Sequence, residues 1–427
     1  VCHNLVVVFQ EAKMSEKKSG KIVKVVTKVI VVILIVLLFL YGLLFLYANK
    51  KEKEAILVWQ NEGFNLEERF EKIKFEEQNE SAKDLLNIAK KLGFAENACS
   101  LQFKDVIDYG YNQIEKDKFE FIEVTPELKN GFEKVKNDLQ KVKEILKKDP
   151  PKWGFDYRNV DKEQPFYAGF IRLQRLLASE SLFFLSQGKN EEAKEDLDSM
   201  LIMAQSLNKN RSLVDSLIYN FSIREICGVL RFLKSPTQDY VERLSSIDVI
   251  KSMKEGYING KIIRKRCIEE GEYPFYGNYF PKIKAFIMKP YTKLCMASYD
   301  IRYLNFLKQI EKENPCELSD KNLTIKMLSE FPKWNIIAKI ALPNMQDAWI
   351  RGNRVSLEKD LTLIILKLRL EKARTGKYPS NFKLPETPCP NTKWKLEASD
   401  DHFKVYFDGE FKMKIKKGAY IPLTWEE

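Results

Sequence analysis

Val29–Ala48 reads VIVVILIVLLFLYGLLFLYA, and no charged residue interrupts it. As a helix this run is about 30 Å long, the thickness of a bilayer's hydrocarbon core. Over such a length in lipid, a backbone satisfies its polar groups only as a helix. Val, Ile, Leu and Phe occupy every face, so the run is not an amphipathic surface helix, and Tyr47 suits the water interface at its end. Lys13, Lys17, Lys18, Lys21, Lys24 and Lys28 precede it; Lys50, Lys51 and Lys53 follow, mixed with Glu52 and Glu54. This lysine bias predicts a cytoplasmic N-terminus, with the large remainder outside the cytoplasm at the plasma (inner) membrane. A cleaved signal peptide fits less well, because the apolar region is too long and Leu46-Tyr47-Ala48 is a poor cleavage site. The stretch from Met14, MSEKKSGKIVK, reads as an ordinary start ahead of an anchor, so no function is built on Cys2 or His3.

The chain has 427 residues, 44% hydrophobic and 12% aromatic, enough for a packed core in two or three domains. Only 18 glycines and 16 prolines favour long helices with short links. Of the net charge of +11, residues 1–60 supply +5, from nine lysines and four glutamates. Elsewhere basic residues alternate with acidic ones, as in EKIKFEEQNE (71–80) and KVKNDLQKVKEILKKD (134–149). Such runs are expected to be solvated helix surfaces, and they do not make a nucleic-acid patch. None of the seven cysteines forms a CxxC pair, so no metal or redox motif is present. Outside the cytoplasm six of them are available for disulfides. Cys227, in an apolar helix, reads equally well as a buried thiol.

Along the chain, helical spacing predicts Asn65–Phe75, Ser81–Leu92, Phe103–Lys118 and Pro126–Lys148. The last has Thr125 as N-cap and Pro126 at its first position, and Asp149-Pro150-Pro151 ends it. A domain boundary is expected there. Phe166–Gln187, Glu191–Leu207 and Leu213–Leu233 follow as helices. Ser235-Pro236-Thr237-Gln238 reads as a capping box with proline at the first helical position. Further helices are expected to about Glu270, from Ile283 to Glu313, near Asn322–Ser329 and Trp334–Ile340, and from Val355 to Arg374. Beyond Gly376 the period becomes two. Trp394, Leu396 and Ala398 form one strand, Phe403, Val405 and Phe407 a second, and Phe411, Met413 and Ile415 a third, with Asp408-Gly409 as a hairpin turn.

Two resemblances arise. Ser181, Phe184, Gly188, Ala193 and Leu197 match the small, aromatic, turn-glycine, alanine and large-apolar positions of a tetratricopeptide-like hairpin, without a clean second copy. Leu361–Phe407 resembles the head of type II secretion pseudopilins. It more closely resembles a group of uncharacterised bacterial membrane-anchored helical proteins, with a long helix, a "G-(R/K)-Y-P" turn and a small sheet. Here the turn is Gly376-Lys377-Tyr378-Pro379. The group's usual Asp-Pro and glycine are replaced by Pro388-Cys389-Pro390-Asn391. Asn61–Leu66, the hairpin near Gly188 and Asn335–Ala338 also look like landmarks of that group. Some 300 residues separate the anchor from the last helix, so the resemblance does not imply polymerisation into a pilus. Nor does it supply an activity.

Chemistry is sparse. The only histidines are His3 and His402. A Ser-His-Asp or Cys-His centre would need His402, which reads instead as an exposed histidine at a strand end beside Asp401. No Gly-rich phosphate loop occurs, so no nucleotide is expected. Ser206–Lys209, Ser319–Lys321 and Arg374–Gly376 mimic the order of β-lactamase motifs, but the third ends a helix where that chemistry needs a strand. Glu191, Glu192, Glu195, Asp196 and Asp198 read as a solvated face. Glu272, beside Tyr273, Phe275 and Tyr276, is the one candidate for a general acid in a glycan-cleaving or glycan-binding site.

The sequence therefore predicts a mainly α protein in five parts. These are a tail (1–28), a transmembrane helix (29–48), a helical region (49–150), an irregular solenoid-like body (151–354, hairpin 166–207), and a long helix with a three-stranded antiparallel β-meander (355–427). The expected role is a membrane-anchored scaffold or protein-interaction protein of the cell envelope, with no catalytic residue, cofactor or metal assigned. Tyr157, Phe166, Tyr167, Tyr273, Phe275 and Tyr276 are the candidate binding surface for a protein partner. The alternative is a membrane-anchored glycan hydrolase or binder using Glu272.

Overall fold

The computed structural model describes residues 2–65, 68–69, 71, 77–94, 103–154, 167–207, 212–269, 281–335, 345–413 and 422–427 and, within these, the side chains outside 2–25 and 261–286. The fold is mainly α with a C-terminal three-stranded antiparallel sheet. In chain order the helices are α1 (Cys2–Asn61), α2 (Glu80–Lys91), α3 (Lys104–Ile114), α4 (Pro126–Lys148), α5 (Tyr167–Ser186), α6 (Asn190–Ser206), α7 (Leu213–Leu230), α8 (Gln238–Ser245), α9 (Val249–Glu269), α10 (Pro281–Lys312), α11 (Leu323–Glu330) and α12 (Met345–Thr375).

Among the described residues, α1 is the one helix long and apolar enough to cross a membrane. It does not stop at the end of the apolar run. It continues to Asn61 with Ala48, Ala55 and Trp59 buried. Helix α10 lies along this extension in the same direction. Lys293 Nζ reaches Asn49 Oδ1 (2.9 Å) and Glu52 Oε2 (2.7 Å), the Trp59 indole N–H donates to the Asp300 carbonyl (3.1 Å), and Lys308 pairs with Glu62. The Trp59 ring stacks 6.3 Å from Tyr303, inside an apolar cluster shared with α9, α10, α11 and the start of α12.

A second, larger cluster joins α2–α8, the middle of α12 and the sheet. It runs continuously across residue 150. Phe132 of α4 stacks on Phe183 of α5 at 4.3 Å, although Pro150 and Pro151 end α4 as their chemistry requires. The α5–α6 hairpin turns at Gly188, whose φ of +75° favours a residue without Cβ, and Ser181 Oγ donates to the Ala193 carbonyl across it. Gly228 on α7 leaves room for Ile114: a Cβ there would lie 2.7 Å from its Cγ2. Helix α12 is buried from Met345 to Arg369 and contributes to both clusters.

Four local expectations need correction. Helix α12 begins ten residues before Val355, at Met345. The expected capping box at Ser235 does not form: Thr237 precedes α8, makes no side-chain cap bond, and Pro236 lies outside the helix. The third strand is β3 (Thr424–Glu426), not Phe411–Ile415. Strand β1 (Lys393–Ala398) pairs with β2 (Phe403–Asp408), and β2 with β3, all antiparallel. At 411–413 the chain has left the sheet. The Lys412 amide donates to the Cys316 carbonyl (3.0 Å), and Lys412 Nζ pairs with Asp320. Ile415 lies outside the described residues. The β1–β2 turn is at 399–402, so Asp408-Gly409 closes no hairpin.

The sheet's apolar face carries Trp394, Phe403, Val405, Phe407 and Trp425. It packs toward α12 and the end of α7, where Phe232 meets the Trp425 ring at 5.1 Å. A disulfide joins Cys316 to Cys389, while Cys227 and Cys295 are buried.

Trp59 fastens the helical extension to the body. Trp59→Ala should cost about 3–5 kcal/mol. In the full chain in detergent, limited proteolysis between anchor and body should begin at a lower temperature, with no change in expression of the apolar run.

Candidate functional site

Seven residues expected at a surface site divide unevenly. Glu272, Tyr273, Phe275, Tyr276, Tyr157 and Phe166 lie outside the described residues. Tyr167 is half-buried, and its hydroxyl donates to Asp215 Oδ1 at 2.5 Å. Asp215 also closes the capping box of α7 with Ser212, so Tyr167 supports a helix start. His402 is exposed in the β1–β2 turn, where its carbonyl accepts the Ser399 amide.

The carboxylates tell more. Asp196 is fully buried, contrary to the expected solvated face, and so is Lys143 on the charged helix α4. Lys143 Nζ lies 2.9 Å from Asp196 and 3.0 Å from Glu180, three helices contributing one group each. Burial pulls the ammonium toward neutrality, but the two carboxylates outweigh it and leave its pKa raised. Burial, then repulsion from Glu180, pushes Asp196 well up. Two carboxylates this close suggest acid–base chemistry, yet none of the three groups has surface that a substrate can touch. They bind α4, α5 and α6 together.

Asp360 on α12 is different. It lines a cavity of about 260 Å³ with Leu363, Ile364, Phe382 and Leu384. Burial raises its carboxyl to about 6, against the pull of Lys359 and Lys367. That is the environment of a tuned general acid. Among the described residues, no second carboxylate lines the cavity.

The most distinctive half-open feature is a shelf of arginine on aromatic rings. The Arg175 guanidinium stands 4.5 Å from the Tyr111 ring centroid and 4.8 Å from that of Phe221, and it also hydrogen-bonds the Tyr111 hydroxyl. Arg224 also stands over Phe221, at 4.9 Å from the ring centroid, and donates to Glu225 at 2.7 Å. Beneath, Glu358 accepts from Arg354 at 3.1 Å, and burial raises its pKa despite Arg354, Arg224 and Arg231. Glu115 at the rim is raised by burial and by Glu225, with Arg224 opposing. Tyr111, Arg175 and Phe221 remain partly exposed above this buried floor. The sequence carried a signal for it: Arg175, Arg224 and Glu225 interrupt otherwise apolar helices, and a charge there needs partners.

A clasp closes the far side of the body. Arg231 donates to Thr362, to the Glu358 carbonyl and to the Pro422 carbonyl, while burial lowers its pKa to about 10. Arg369 holds the Glu427 carboxylate at 2.6 and 2.8 Å, and Tyr378 of the Gly376–Pro379 turn donates to it at 3.2 Å. The turn is therefore a structural lock for the last strand. Among the described residues, no group of three or more His, Cys, Asp or Glu is placed to hold a metal. No family model, curated protein or solved structure matches the chain.

Two outcomes follow. Lys143→Met should destabilise the full chain by about 3–5 kcal/mol, because it strands two buried carboxylates, and adding Asp196→Asn should restore part of the loss in chemical unfolding. Asp360 has a folded pKa of about 6, above its ordinary value of 3.8. Its contribution is fully present below pH 4 and is lost as pH rises to about 6. Asp360→Asn should flatten the stability profile in that window and gain ~1–3 kcal/mol at neutral pH.

Proposed function

We propose that this chain is a membrane-anchored scaffold whose helical body sits outside the cytoplasm and binds a protein partner. The observation that carries the reading is the unbroken passage of α1 from the apolar run into the apolar cluster around Trp59. A flexible linker would let the body wander. A continuous helix, packed against α10, fixes the height and rotation of everything built on it. This rigidity suits a protein that presents a surface, and it needs no reaction.

The Cys316–Cys389 disulfide supports the outward orientation, since such bonds persist in oxidising compartments. So does the lysine bias at the start of the chain. The partner face we favour is the Tyr111–Arg175–Phe221 shelf. Tyrosine and arginine dominate the energetics of protein interfaces, and here the guanidinium is already held flat by two rings. A partner offering a carboxylate to Arg175 fits that chemistry. The resemblance to membrane-anchored helical proteins with pseudopilin-like ends is consistent with an envelope role.

Two measurements test this. A reporter fused after Glu427 should be active only outside the cytoplasm, and alkylation of Cys316 and Cys389 should require a reductant; cytoplasmic activity overturns the orientation. Site-specific photo-crosslinking from position 221 should yield one discrete protein adduct. Arg175→Ala should reduce it by roughly tenfold or more, as expected for a hot-spot residue. An adduct unchanged by Arg175→Ala removes the shelf from the reading.

A further inference from the structure

We propose that the body makes a second contact with the bilayer, through Ile287 and Met288 of α10 and the Trp334 corner, beside the anchor. The inference rests on the reading of α1 as a span.

The registry of α1 and α10 is the starting point. Lys293 is bracketed by Phe45, whose ring lies 5.7 Å from Nζ, and by Asn49 and Glu52. The two helices run in the same direction, since Trp59 meets Asp300 and Glu62 meets Lys308 further along. Reading α10 backwards from Lys293 therefore descends alongside the apolar run. At 1.5 Å per residue, Ile287 stands about 9 Å below Lys293 and Pro281 about 18 Å below it. That puts Ile287 beside Leu43, well inside Val29–Ala48. Tyr41, Gly42 and Phe45 are partly covered and Ala48 is buried, on one stripe of α1, so a neighbour follows α1 down to this level.

The exposed surface at that level is apolar. Ile287 is 57% and Met288 38% exposed, and with Lys282 and Lys284 in the preceding turn the apolar contact is confined to these two residues. In water this is a cost with no return; at the boundary of the acyl chains it is burial. Above it, aromatic groups stand where headgroups would be. The Tyr291 hydroxyl donates to the Trp334 carbonyl at 2.6 Å and fixes the corner, the Trp334 side chain is 47% exposed, and Tyr47 on α1 is 53% exposed at the matching height. Tyrosine and tryptophan favour this depth because a ring and a polar edge are satisfied together. Lys289 and Lys333 are exposed on the same elements, as suits anionic headgroups. Pro290 interrupts the helix where the level changes, and it removes one backbone hydrogen bond at the depth where headgroups and water can replace it.

Two helices seated together in one leaflet resist rotation and tilt in a way that one cannot. The patch therefore explains how the body keeps a fixed face toward its partner.

The test uses the full chain in its own membrane. Leu38, Ile287, Met288 and Ile325 are replaced one at a time by photoreactive benzoylphenylalanine. Ile325, on α11, serves as the aqueous reference: it is exposed, and α11 begins beside the far end of α10, where Lys321 meets Glu313. Positions 38, 287 and 288 should give lipid adducts with yields within about threefold of one another and at least about tenfold above position 325, as insertion to the acyl boundary requires. Lipid adducts at 38 with none at 287 and 288, or with only protein adducts there, overturn the second contact and leave the anchor standing. No lipid adduct at 38 overturns the anchor and the proposal together.

Discussion

A helix that passes from an apolar run long enough to cross a membrane into a protein core without a break ties the orientation of the core to that of the run. This constraint governs the rest of the molecule. The hydrogen-bond ladder of α1 runs from the apolar stretch to Asn61, and the Trp59 ring is caught between Tyr303 and Phe64. Helix α10 is held to α1 at Lys293, Asp300 and Lys308, so it inherits the same axis. Helix α12 then carries that axis onward, since its first turns belong to the cluster around Trp59 and its middle to the cluster under the sheet.

Buried charge does the work of specifying how the remaining helices meet. Apolar surfaces can slide against one another by a residue or a turn at little cost. An ammonium between two carboxylates cannot, because any slip leaves an ion unpaired in a poor solvent. Lys143, Glu180 and Asp196 fix α4, α5 and α6 in this way, and Arg231 fixes α7 to α12 and to the last strand. The Arg175 shelf is the exception: its guanidinium rests on rings and a phenol, and the residue as a whole is only partly buried.

What the sequence disclosed follows the range of the interactions. Helix α4 was readable to the residue because Thr125, Pro126 and Pro150 act locally, and the Thr125 side chain accepts the Leu128 amide as that pattern demands. The β1–β2 pair was readable because its alternation and burial coincide. The third strand was not. Phe411 and Met413 alternate as a strand would, but their apolar side chains belong to the cluster beside α12, and Cys316 takes the Lys412 amide. Trp425, which does complete the sheet, sits in a strand of three residues, too short to show a period. Asp196 was misplaced for a related reason. Four acidic neighbours make its stretch look solvated, and the lysine that buries it lies on another helix. The shelf drew arginines from α5 and α7 and a tyrosine from α3, which no local pattern joins.

The disulfide and the clasp bear on how the small sheet is held to the body. Cys316 follows α10 and Cys389 precedes β1, so the bond links the pair of helices seated nearest the anchor to the sheet at the far end of α12. The sheet itself is small, and three short strands alone are marginal. It is kept by what surrounds it: Arg369 and Tyr378 on the Glu427 carboxylate, Arg231 on the Pro422 carbonyl, and the Phe119 amide donating to the Glu426 carbonyl along the edge of β3. Of the sheet's two edges, the one at β3 is thus covered by the chain's own segment at 117–119.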